Sequence, residues 1–87
     1  MYLHVGGGQV VPIKEIVVIM NRETMAKSEN NKNFIETSAE EGFIQKVASD
    51  GEINSWVITT RKVIASPISA PTLVKRIEQV MSSGIIG

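Results

Sequence analysis

The run 13–20, Ile-Lys-Glu-Ile-Val-Val-Ile-Met, constrains the fold of this chain more than any other stretch. Its four consecutive β-branched residues, Ile16, Val17, Val18 and Ile19, are stiff at χ1 and suit a pleated strand buried on both faces. The run is too short and too branched to prefer a helix, and polar turn chemistry follows it at Asn21-Arg22-Glu23-Thr24. A strand of this kind needs partners and cover on both sides. The reading therefore makes it the central strand, from about Glu15 to Met20, with the other segments as its neighbours and lids.

The 87 residues suit one domain, 1–87, because domains commonly run to about 100–150 residues. A chain this short buries only about 60–65 % of its unfolded surface. Ordering costs about 1.5 kcal/mol per residue, which comes close to cancelling what burial contributes. With no cysteine, neither a disulfide nor a thiolate metal site can supplement the core. The 43 % apolar content and zero formal net charge make association into a homo-oligomer the expected supplement. Nine Lys and Arg balance nine Asp and Glu, so the chain lacks the basic excess of a dedicated nucleic-acid binder, although a neutral total can hide a basic stripe. Its apolar stretches fall far short of the ~18 residues of a membrane span. The opening Met1-Tyr2-Leu3-His4 has no basic segment of the kind that starts an export signal, and the expectation is a cytoplasmic protein.

The chain then reads in order. Residues 2–5 form a short strand with Leu3 and Val5 on one side and Tyr2 and His4 on the other. Gly6-Gly7-Gly8-Gln9 turns it, and Val10-Val11 returns as a hairpin that Pro12 ends. Residues 21–27 are expected to be a loop. Ser28 is placed to cap a polar helix over 29–41, with Glu29 in its first turn and Gly42 closing it. A strand over 43–48, a hairpin turn at Asp50-Gly51, a strand over 54–60, a tight turn at Arg61-Lys62 and a strand over 63–66 predict a three-stranded meander. After Pro67, Ser69-Ala70-Pro71-Thr72 opens the last helix. Leu73, Ile77 and Val80 form its apolar stripe, flanked by Val74 and Met81, and Gly84 ends it. Ile85 and Ile86 then either fold back or meet another subunit. The class is α+β: a small, antiparallel-rich twisted sheet of about five to six strands, with a middle polar helix and a C-terminal amphipathic helix packed on it.

Chemistry-bearing patterns are scarce. The glycine cluster lacks the Gly-Lys-Ser/Thr ending of a phosphate loop and no helix follows it, so it reads as a hairpin turn. His4 is the only histidine, which leaves no set of metal ligands and no base to spare for a catalytic triad. Glu40 and Glu41 are adjacent on a helix and point about 100° apart, poor geometry for paired carboxylates, and with Glu36 they read as a solvated face. An enzyme, a cofactor and a small-molecule substrate are not expected. The basic residues Lys14, Lys27, Lys32, Lys46, Arg61-Lys62 and Lys75-Arg76 read as solubilising charges with acids beside them. The alternative is that symmetry gathers them into a phosphate-binding track.

Three stretches carry a resemblance. They are Tyr2-Leu3-His4-Val5-Gly6 with Val10-Val11 and the Lys14-Glu15-Ile16-Val17-Val18-Ile19 strand, then Trp56-Val57-Ile58, and finally Ser69-Ala70-Pro71-Thr72-Leu73-Val74-Lys75-Arg76-Ile77. Together they resemble the small bacterial extracellular-matrix regulatory family, the RemA/RemB proteins, and the opening Met1-Tyr2-Leu3-His4-Val5-Gly6 looks closer to the B-type members. The resemblance implies a sheet-rich α+β subunit in a homo-oligomeric ring. It also implies a transcriptional regulator of biofilm matrix genes that binds DNA through arginines around the ring. Those arginines have no counterpart here. Where A-type members place one before the central strand this chain has Glu15, and where they place a cluster after the glycine of the second hairpin it has Glu52-Ile53-Asn54-Ser55. From charge and position alone, Lys14, Arg61 and Lys62 are the candidate DNA contacts. The competing reading is a structural or protein-interaction module of the same fold that does not bind DNA.

Overall fold

The computed structural model describes the backbone of residues 1–86 and the side chains of residues 1–82 apart from Asp50. The first hairpin forms as the alternation predicts. β1 (Tyr2–Gly6) pairs antiparallel with β2 (Gln9–Pro12), with Leu3, Val5 and Val11 buried and Tyr2 and His4 outside. Glycine is required at the turn. Gly6 sits at φ 105°, and a Cβ there would lie 2.9 Å from the Pro67 ring.

The run 13–20 departs from its expected place. Ile13–Glu15 makes one 3-10 turn, closed where the Ile16 N–H donates to the Ile13 carbonyl. Only then does β3 (Ile16–Asn21) begin. It stands at one end of a four-stranded sheet whose remaining strands are β4 (Ile44–Lys46), β5 (Ser55–Thr59) and β6 (Val63–Ser66), in the order β3-β5-β6-β4. The expected central strand is therefore an edge strand. Its register also slips. Ile16 pairs with Thr59 and Val18 with Ile58, which leaves Val17 unpaired in a bulge. The bulge breaks the two-residue period, so Ile16 and Ile19 both pack against the core although they are three apart. Val17 and Val18 are left 66 % and 41 % exposed. β-branching specified a strand without specifying its place in the sheet.

The expected meander is also corrected. β5 and β6 form the predicted antiparallel hairpin, but β4 pairs parallel with β6, on the side away from β5. Asp50-Gly51 consequently does not turn a hairpin. Asp50–Glu52 is a 3-10 turn within a crossover, and Gly51 does not take the positive φ that a type I′ turn needs. The class and strand number hold: the described residues form three α-helices and six strands, the strands divided into sheets of two and four.

The stretch expected as a loop holds a helix, α1 (Arg22–Lys27), because Asn21 caps it. The Thr24 N–H donates to Asn21 Oδ1 at 2.7 Å, and Met25 anchors the turn in the interior. Ser28 caps α2 (Glu29–Glu40) as predicted, accepting from the Asn31 N–H at 3.3 Å, and Gly42 closes it at φ 79°. Its face is nearly dry of anchors: Ser38 is buried while Phe34 stays exposed.

The last helix, α3 (Ala70–Ile86), begins at the Ser69 cap and runs through Gly84 instead of stopping there. The side chains of Ile85 and Ile86, expected to fold back or meet another subunit, lie outside the described residues, as does Gly87. α3 rests on β1 and β3. Leu73 enters a core with Leu3, Val5, Val11, Val57 and Ile64. Val74 and Met81, seven apart on one flank, remain exposed. One buried hydroxyl, Ser66, ties the two sheets together, and a second, Ser55, holds the segment after β6. Ser66 Oγ donates to the Val5 carbonyl at 2.7 Å and accepts from the Ile68 N–H, while Ser55 Oγ donates to the Ile68 carbonyl at 2.6 Å. Among the described residues no helix is long and apolar enough to cross a membrane.

Candidate nucleic-acid interface

The β5–β6 hairpin tip is built by one threonine. Thr59 Oγ1 donates to the Lys62 carbonyl at 2.8 Å and accepts the N–H groups of Arg61 and Lys62 at 3.2 and 2.9 Å. The Thr59 N–H donates to the same Lys62 carbonyl at 2.9 Å. Four short hydrogen bonds thus fix the backbone from which both cations project.

The side chains of the tip are oriented as well. Arg61 is 84 % exposed, yet its Nε lies 3.1 Å from Glu15 Oε1, on a carboxylate side chain only 23 % exposed. Glu15 also receives the Thr60 N–H on its main-chain oxygen at 3.0 Å, which ties the 3-10 turn before β3 to the tip. Lys62 Nζ donates to Gln45 Oε1 at 2.6 Å, across the sheet on β4. Beside the tip runs an open groove bordered by Phe34, Thr37, Phe43 and Val63, so two exposed aromatic rings lie next to two basic side chains.

The three candidates from the sequence do not form one cluster. Arg61 and Lys62 share the tip. Lys14 is exposed on the 3-10 turn and borders a different groove, with Met1, Tyr2, Ile13 and Met81. Glu15 pairs with Arg61 across the strands and not with its sequence neighbour Lys14, and Gln45 is the partner of Lys62. The Ile16–Thr59 pairing brings residue 15 alongside residues 60 and 61, so only the strand register could have revealed that contact. Arg76 reaches back from α3 with Nη1 3.5 Å from the His4 carbonyl. Chemically the tip can offer a phosphate the outward donors of a guanidinium and an ammonium on a rigid turn. Among the described residues there is no group of three or more His, Cys, Asp or Glu able to hold a metal ion.

A family model described as RemA-like, extracellular matrix regulatory protein A-like, covers residues 2–77. No curated protein matches the chain.

Proposed function

We propose, from the premise that this chain belongs to the RemA-like family of extracellular matrix regulatory proteins, that it is a non-enzymatic, cytoplasmic regulator of matrix and biofilm genes which binds DNA as a homo-oligomeric ring. The observation that carries the DNA reading is the β5–β6 tip, where a rigid four-residue turn holds Arg61 and Lys62 at the surface. Each subunit supplies a weak contact, and repetition around a ring turns such contacts into salt-sensitive affinity. Lys14 serves as an outlying contact.

Exposed apolar side chains support the oligomer. They lie at opposite edges of the four-stranded sheet: Val17 and Val18 on β3, and Phe34 and Phe43 beside β4. Two unlike sticky surfaces suit a head-to-tail contact, the kind that closes into rings. The tip cations border the second surface.

Fluorescence anisotropy of an AT-rich duplex at about 50 and 200 mM salt tests this reading, because several phosphate contacts change affinity by orders of magnitude over that range. Micromolar or tighter binding that collapses at the higher salt is expected. Converting Arg61 and Lys62 to alanine should weaken it about equally for all sequences and flatten the salt slope. Flat traces from folded protein, or a double variant that binds unchanged, overturn it. The second reading, a protein-interaction module that leaves DNA alone, is favoured by one observation: both tip cations already have partners within the subunit, Glu15 and Gln45.

A further inference from the structure

We propose that Glu15 sets the affinity of the hairpin tip for phosphate: its carboxylate holds the Arg61 guanidinium in the free protein and opposes an arriving phosphate, so that removing its charge tightens DNA binding. The inference rests on the reading of the tip as a DNA contact.

Backbone bonds bring the two residues together. Arg61 projects from the turn that Thr59 locks, and Glu15 sits in the 3-10 turn closed by Ile16, with its own carbonyl bonded to the Thr60 N–H at 3.0 Å. The main-chain bonds hold the two residues side by side, and the Glu15 side chain is only 23 % exposed where that of Arg61 is 84 % exposed. Its contact uses Nε at 3.1 Å, one of five donors, which leaves the terminal nitrogens for a second acceptor. A phosphate bound there would stand next to the Glu15 carboxylate, and like charges that close repel. Orientation of Arg61 works the other way, but an exposed ion pair of this kind holds its geometry weakly. Repulsion is the larger of the two effects. Lys62 provides the internal contrast, since its partner Gln45 is neutral and opposes no anion.

Glu15→Gln keeps the size and the oxygen facing Nε while removing the charge. In the same anisotropy titration it should bind duplex DNA about two- to fivefold more tightly than the parent, the worth of one exposed ion pair. Its salt slope should steepen by about one unit, as for one more effective phosphate contact. In an Arg61→Ala background the gain should shrink towards zero, and circular dichroism should show both variants folded. Parent protein that binds through the tip together with a Glu15→Gln variant that binds equally or more weakly overturns the role of Glu15 and leaves the DNA reading standing. A gain that persists undiminished without Arg61 also overturns it, since the carboxylate would then act on some other group. Absence of binding by both parent and variant overturns the DNA reading and this inference together.

Discussion

Strands β3 and β6 are the most instructive pair in the molecule. β3 is Ile-Val-Val-Ile-Met-Asn, and none of its six residues is fully buried. β6 is the shorter and less apolar Val-Ile-Ala-Ser, and all four are buried. The difference lies in their neighbours. β6 has β5 on one side and β4 on the other, while β3 pairs with β5 alone. Apolar content therefore marks a strand but does not rank it by depth. A strand that carries more apolar surface than its own subunit covers has burial left to complete elsewhere.

The largest effect should come from the covered strand. Ile64 is 1 % exposed and belongs to the main core cluster. Ile64→Ala should cost about 2–5 kcal/mol, the transfer loss plus the cavity left behind. Urea unfolding should show it as a lower midpoint at unchanged slope. A cost under about 1 kcal/mol would mean that β6 is not the packed centre and would erase the contrast with β3. Ser66 comes next. Its buried hydroxyl bridges the Val5 carbonyl and the Ile68 N–H, so Ser66→Ala strands two groups at once and should cost about 1–3 kcal/mol in the same assay. A neutral Ser66→Ala would show that the hairpin β1–β2 docks through apolar contact alone.

The same contrast separates what was legible in the sequence from what was not. Local signals decide the outcome at several single residues, although Gly84, expected to end α3, lies inside it. Ser28 capping α2, Gly42 closing it, the glycine turn at 6–8 and the Arg61-Lys62 turn all rest on single-residue chemistry. Long-range choices were not legible. Nothing local told β4 to pair parallel with β6, and that pairing is what turns Asp50-Gly51 from a hairpin into a crossover and leaves β3 at the edge. Asn21 was legible in kind but not in role, since asparagine serves a turn and an N-cap equally well. At the candidate interface, position and charge named Arg61 and Lys62, whereas their partners Glu15 and Gln45 depend on strand order and could come only from the fold.

The smallest expected effect on the subunit is the sharpest test of the comparison. Val17 and Val18 lie on the exposed edge, and Val17 sits in the bulge without a ladder partner. Replacing both with threonine keeps the β-branched shape that suits a strand. For dilute single subunits the change should therefore stay within about 0.5 kcal/mol, as for ordinary surface sites. Assembly should respond differently. If β3 completes its burial against another subunit, each valine contributes up to about 1.5–3 kcal/mol there, enough to weaken the contact tenfold or more. Light scattering coupled to size exclusion should then show the variant at lower mass than the parent at equal concentration, with denaturation of the dilute protein unchanged. An unaltered mass would make the bulge at Val17 a device that keeps an ordinary solvated edge from pairing, and any assembly would have to form through the Phe34 and Phe43 surface instead. A large loss of stability in the dilute subunit would mean that β3 is held as firmly as β6, and the two strands would no longer differ in kind.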